Sequence, residues 1–161
     1  MSVSEVVGII DRTMRARLPG QFDSKEARVL LLATAGQESN WEHRRQVGGP
    51  ARGLWQFEQI AVEEVLRNPA TSIYARALCV MHAVAPTVSD CYMALANDDV
   101  FACGIARLNY WRVRDPLPAA RHDAVLTAYG YYESTWRPGA KRPDDWPRNH
   151  ALALESYGVM A

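Results

Sequence analysis

The sequence has no excess charge of either sign and no long hydrophobic run. Its formal net charge is zero over 161 residues, so no overall positive field favours nucleic acid, and we expect no nucleic-acid partner. No apolar stretch reaches the roughly 18 residues that a membrane-spanning helix needs. Residues 1–5 lack the positive and apolar regions of a secretory signal peptide. We therefore expect synthesis in the cytoplasm and, if the substrate lies elsewhere, a separate route to it.

Cysteine is scarce as well. Cys79, Cys91 and Cys103 are an odd number of cysteines in predicted helices, which argues against a disulfide framework and favours buried free thiols. Together with His82 they are residue types that bind zinc, and Cys79 and His82 can share one helix face. Their spacing matches no closed zinc motif, so we predict neither a metal site nor any other cofactor.

What the chain does have is globular composition and helical periodicity. With 48% hydrophobic and 22% charged residues, it predicts one folded domain over residues 1–161. Ser4 is the expected N-cap of the first helix, and Asp23 with Glu26 is expected to cap the second. No segment alternates as a strand does, so we predict a mainly α fold with at most a small β-hairpin. Helices are expected at 4–17, 23–39, 60–67, 71–84, 87–96, 99–111, 119–136 and 148–157.

Glu38 closes the most apolar of these helices, and Leu31, Thr34 and Ala35 share its face. Partial burial of a carboxyl raises its pKa, and a carboxyl protonated near neutral pH can donate a proton to a glycosidic oxygen. Ordinary glycoside hydrolysis needs a second carboxylate. No aspartate occurs between Asp23 and Asp90, so the pattern indicates a site with a single acid.

Two short motifs flank a polar loop after this helix. Gln37-Glu38-Ser39 is followed by Gly53-Leu54-Trp55-Gln56, and this pair resembles the signature of the lysozyme-like lytic transglycosylases, the superfamily of the goose-type lysozymes. The resemblance implies that Glu38 is the catalytic acid and base, that Ser39 lies in the catalytic cleft, and that Gln56 lines the cleft and contacts substrate.

A third element of that family, Ala-x-Tyr-Asn, is matched less closely. About seventy residues after Glu38 the chain reads Ala106-Arg107-Leu108-Asn109-Tyr110-Trp111, with Asn and Tyr in reverse order. Tyr110 is our candidate for the tyrosine that supports the acid, with Tyr129 as the fallback. Sugars stack their C–H faces on aromatic rings, so Trp41, Trp55 and Trp111 are candidates for the walls of a glycan groove.

The resemblance implies an enzyme that cleaves the β-1,4 bond between N-acetylmuramic acid and N-acetylglucosamine in peptidoglycan. The C6 hydroxyl of the sugar would attack its own C1, which gives a 1,6-anhydro end without a cofactor. The C-terminal Trp136-Arg137-Pro138-Gly139 stretch resembles small bacteriophage members. The implied partners are therefore peptidoglycan strands and, for a virion enzyme, other phage virion proteins. The protein would reach the periplasm and cell wall through a holin or within the virion.

Three alternatives stay open. One is a hydrolase of the same fold, in which Glu42 or Glu58 activates water. Another is a structural or adaptor protein of a virion that binds glycan without turnover. A third is a helical nucleic-acid-binding domain, which the neutral charge argues against. The local cluster of Arg107, Arg112, Arg114 and Arg121 would serve that alternative, but we expect a solvated, salt-bridged surface there.

Overall fold

The computed structural model describes residues 1–46 and 48–161, and it confirms the mainly helical fold. Within those residues there are isolated β-bridges but no β-strand. No helix among them is both long and apolar enough to cross a lipid bilayer. The helices are α1 (Val3–Ala16), α2 (Lys25–Ser39), α3 (Gln59–Arg67), α4 (Ser72–Met81), α5 (Val88–Ala94), α6 (Asp99–Trp111), α7 (Val125–Trp136) and α8 (Trp146–Ser156).

α2 lies at the centre of the molecule, packed most closely on α8 and also against α1, α6 and α7. Its side chains from Val29 to Ala35 are all buried, because apolar residues occupy nearly the whole circumference of the helix. One hydrophobic core runs from Val6 on α1 to Leu154 on α8. The predicted central position of this helix is therefore confirmed.

The helix starts differ from the expected caps. Ser2, not Ser4, caps α1 and forms a capping box with Glu5. Ser24 caps α2, because its hydroxyl accepts from the amide of Ala27. Asp23 is instead held by the guanidinium of Arg28 at 2.6 and 2.7 Å. Because the Asp23 carboxylate is paired with Arg28 of α2, it does not cap that helix.

The other boundaries agree with the sequence to within a few residues, except in the C-terminal third. The expected long helix from 119 begins only at α7, after a 3-10 turn at His122–Ala124. α8 follows another 3-10 turn at Pro143–Asp145 and has Pro147 in its first turn, where a missing amide hydrogen costs nothing.

Residues 40–46 and 48–58, between α2 and α3, fold as tight turns, and no hairpin of two strands occurs among them. Arg52 pairs with Arg45 and with Phe57 in isolated antiparallel bridges. Gly53 sits at φ +78°, and a Cβ at this position would lie 2.8 Å from the backbone oxygen of Leu95. Only glycine fits there, because both the left-handed backbone and the close approach exclude a side chain.

Candidate functional site

Glu38 lies in the last turn of α2 and is half-buried. The hydroxyl of Tyr132 on α7 donates to Glu38 Oε1 at 2.5 Å. Loss of hydration raises the pKa of Glu38 from 4.5 to about 7, although the hydrogen bond from Tyr132 and the charge of Arg142 pull in the opposite direction. Desolvation is the larger effect, so this carboxyl is partly protonated at neutral pH.

An aromatic layer from α7 and α8 surrounds Tyr132, the residue that donates to Glu38. Tyr132 stacks on Trp146 with ring centroids 4.9 Å apart and planes 16° apart, and its ring centroid lies 6.4 Å from that of Trp136. Trp136 also contacts Tyr110 at 4.4 Å. These rings hold the Tyr132 hydroxyl in place, and burial keeps that hydroxyl protonated because it raises the pKa of Tyr132 well above its ordinary value.

A polar clamp fixes the end of α2 beside this layer. The side-chain nitrogen of buried Gln37 donates to the backbone oxygen of Arg142 at 2.8 Å, and its side-chain oxygen accepts from Asn149 Nδ2 at 2.9 Å. The guanidinium of Arg142 in turn donates to the backbone oxygen of Gln37. The backbone oxygen of Gln37 is one of the carbonyl groups that the end of α2 leaves unpaired. The clamp also brings the positive charge of Arg142 close to Glu38.

Tyr132 is the functional candidate that sequence reasoning missed. Tyr110, predicted to support the acid, is buried, and its hydroxyl lies 2.7 Å from that of Thr34, one turn before Glu38. Tyr129, the fallback, is half-buried and packs edge-on against Trp146. Tyr129, Tyr132 and Trp136 follow helical spacing on one stripe of α7. This aromatic stripe on α7 was the feature of the sequence from which Tyr132 could have been predicted.

Ser39, Trp41 and Trp55, predicted to lie in or line the cleft, are all buried in this structure. The Ser39 hydroxyl donates to the backbone oxygen of Ala35 at 2.9 Å. Trp41 is 4% exposed and Trp55 0% exposed. Their indole nitrogens donate to backbone oxygens of α2 at 3.0 and 2.9 Å, so both rings belong to the core that supports the helix.

Gln56 stays at the surface, where the segment before α3 turns. It has φ +50° and is half-buried. Its side-chain nitrogen donates to the backbone oxygens of His43 and Gly53 at 3.1 and 2.8 Å. The indole nitrogen of Trp136 donates to the backbone oxygen of Trp55 at 2.9 Å. This bond connects the segment that carries Gln56 to the helix that carries Tyr132.

The other acids near this segment lie in a different environment. Glu42 and Glu58 are exposed, and no carboxyl of the described residues contributes to the raised pKa of Glu38. Residues 1–46 and 48–161 contain no group of three or more His, Cys, Asp or Glu side chains arranged to hold a metal ion. Within this part of the chain, Glu38 is therefore an acid without a carboxylate partner.

The predicted arginine surface is only partly as expected. Arg112 pairs with Glu64 at 2.7 Å and Arg121 with Asp123 at 3.0 Å, and Arg114 is exposed. Arg107 is buried at 3% exposure, and its Nε donates to the backbone oxygen of Phe22 at 2.7 Å. Placing Arg107 on the surface was wrong, because its guanidinium packs over the rings of Phe22 and Trp111.

A cleft of about 520 Å³ lies at the opposite end of α2 from Glu38. It is bounded by the start of α2, the end of α6 and the connector before α7, and Ser24, Arg107, Trp111 and Tyr131 are among its lining residues. Glu26 in this cleft and Glu38 are separated by about 18 Å along the helix axis at 1.5 Å per residue. Trp111 thus faces this cleft and not the acid.

Comparison of the chain with protein-family models, with curated proteins and with solved structures found no match.

Proposed function

We propose that the protein is a lysozyme-like lytic transglycosylase that cleaves the MurNAc–GlcNAc β-1,4 bond of peptidoglycan. The observation that carries the proposal is the environment of Glu38. A carboxyl with a pKa of about 7 is protonated and ionised in comparable amounts at neutral pH, as a residue that serves in turn as acid and base requires. The paired motifs around Glu38 and Gln56 supply the substrate class.

In the proposed reaction Glu38 first protonates the glycosidic oxygen, and the leaving sugar departs. The Glu38 carboxylate then removes the proton from the C6 hydroxyl of the muramyl residue, whose oxygen attacks C1 to form the 1,6-anhydro ring. Tyr132 donates to Oε1, which holds the carboxyl in one orientation and stabilises its ionised form. Gln56 would orient the sugar. Among the described residues no second carboxylate lies beside Glu38, which fits a substrate that provides its own nucleophile.

The proposed partners follow from this substrate. Peptidoglycan glycan strands are the ligand, and the resemblance to phage proteins suggests a bacteriophage enzyme that acts on the cell wall from the periplasm or as part of the virion.

Digestion of purified peptidoglycan tests the reaction. We expect muropeptides with 1,6-anhydro ends by mass spectrometry and a fall of about 10²–10⁴-fold in rate for Glu38→Gln. Glu58→Gln is the matched control, because this exposed acid should leave the rate unchanged. Reducing ends in place of anhydro ends would show a hydrolase. Glycan binding without turnover, equal in wild type and Glu38→Gln, would show an adaptor protein.

A further inference from the structure

Two of the three cysteines are in contact inside the protein. Cys79 lies on α4 and Cys91 on α5, both are buried, and their sulfur atoms are 3.5 Å apart. A disulfide bond measures about 2.0 Å, so the sulfurs need to approach each other by only about 1.5 Å. Cys103 is also buried, but its thiol lies beside Thr13 of α1.

The helices that carry the pair have different principal neighbours. α5 packs chiefly on α3, whereas α4 packs on α6 and α3. α5 has only seven residues, too few to be stable as an isolated helix. A covalent link to α4 would therefore restrain an element whose position depends on tertiary contacts.

We propose that Cys79 and Cys91 are a site of reversible oxidation that forms one intramolecular disulfide by exchange with a small-molecule disulfide such as oxidised glutathione. The first thiolate attacks a glutathione sulfur and releases one glutathione thiolate. The second thiolate attacks the resulting mixed disulfide and releases the other. The two protein thiols lose two protons and two electrons, and one oxidised glutathione becomes two reduced molecules.

Cys79 is the better first nucleophile of the pair. The hydrogen bond from Cys91 lowers the pKa of Cys79, since it stabilises the thiolate, and the nearby Arg76 acts in the same direction. The thiol of Cys103 lies beside Thr13 and contacts neither of the other two sulfur atoms. Cys103 should therefore take no part in the exchange while the protein is folded.

A disulfide between Cys79 and Cys91 would restrain the part of α5 that packs against residues 50–56, the segment that carries Gln56. The hydroxyl of Tyr92, next to Cys91, donates to the backbone oxygen of Pro50. The backbone oxygen of Leu95, one turn further on, lies against Gly53. A disulfide at Cys91 thus restrains the surface on which residues 50–56 rest. This inference concerns the fold and is independent of the proposed reaction.

The spacing of the cysteines provides an internal control. Cys79 and Cys91 are 12 residues apart, and Cys91 and Cys103 are also 12 apart (103 − 91). The entropy of closing the two loops is therefore the same in an unfolded chain. Any preference for the first pair must come from the folded structure.

The full chain, reduced and unfolded in guanidinium, is refolded in a buffer of reduced and oxidised glutathione, because refolding lets the oxidant reach thiols that become buried. Free thiols are then blocked, and disulfides are mapped by mass spectrometry after chymotryptic digestion. We expect the Cys79–Cys91 disulfide to exceed Cys91–Cys103 by at least about tenfold, against near equality when oxidation is done in guanidinium. Cys103→Ala should oxidise normally, and Cys79→Ala should not.

Oxidation should also raise the melting temperature by about 5–10 °C in wild type and in Cys103→Ala. Equal amounts of the two disulfides after refolding, a disulfide that includes Cys103, or three free thiols under oxidising conditions would each overturn the proposal. Cys79→Ser and Cys91→Ser, which remove only the exchange chemistry, show by circular dichroism whether loss of oxidation reflects a failure to fold.

Discussion

Replacing Glu38 by glutamine should make the protein more stable at alkaline pH. The folded-state pKa of about 7 lies above the ordinary carboxyl value of 4.5, so the folded protein binds this proton more tightly than the unfolded chain does. Stability from this group is therefore fully present below pH 4.5 and is lost as pH rises through 7. Glutamine has the shape of the protonated acid and cannot ionise, so it avoids this loss.

The size of the effect follows from the same two values. A pKa of about 7 against 4.5 corresponds to about 3 kcal/mol in the free energy of unfolding. About 2.5 kcal/mol of that is lost between pH 5 and pH 8.5. At pH 8.5 the variant should melt about 6–12 °C above wild type, since about 1 kcal/mol shifts the melting temperature of a chain this long by about 2–4 °C.

Urea unfolding at pH 5 and at pH 8.5 measures the effect as a difference of differences. Any pH-independent cost of the substitution, such as an amide donor left without a partner, cancels between the two conditions. Glu58→Gln is the control, because this carboxyl is exposed. If Glu38→Gln changes the unfolding free energy equally at both pH values, the carboxyl is not desolvated. Glu38 would then not be partly protonated at neutral pH.

Two further substitutions test the surroundings of Glu38. Tyr132→Phe removes the hydrogen bond at Glu38 Oε1, so the pKa of Glu38, followed by NMR of labelled glutamate, should rise above 7. The rate of peptidoglycan cleavage should fall about 10–100-fold. An unchanged pKa would contradict the contact between Tyr132 and Glu38. Gly53→Ala should cost about 1–3 kcal/mol more than Gly48→Ala in urea unfolding, because both have positive φ but only a Cβ at Gly53 meets another atom; equal losses would show that the backbone angle alone matters.

The helices could be predicted because their signal is local. Apolar positions at helical spacing placed α2 and α6 within two residues of their observed bounds. The caps depended on competition between polar side chains. Asp23 has the right type and spacing for a cap, but Arg28 binds it, and Ser24 caps α2 instead. A single sequence does not rank such competing hydrogen bonds.

The partial burial of Glu38 could be predicted because the residues three, four and seven positions before it, which share its helix face, are mostly apolar. Tyr132 could not be assigned in the same way, since 94 residues separate it from Glu38 and the packing of α7 beside α2 brings them together. For the tryptophans, proximity in sequence to the motifs did not indicate their position in the fold. Proximity to a motif in sequence suggested a groove for Trp41 and Trp55, but their indole nitrogens bond to α2 and their rings fill the core.

The position of Glu38 destabilises its ionised form, and hydrogen bonds at other residues compensate for this cost. Ionising this carboxyl costs about 3 kcal/mol more in the folded protein than in the unfolded chain, and a negative charge at the C-terminus of α2 is also opposed by the helix dipole. The same turn carries Gln37, whose side chain bonds to the 137–145 loop and to α8. Buried hydrogen bonds of this kind stabilise by about 1 kcal/mol each. They hold the end of α2 against the aromatic layer, so the unfavourable environment of Glu38 persists in the folded state.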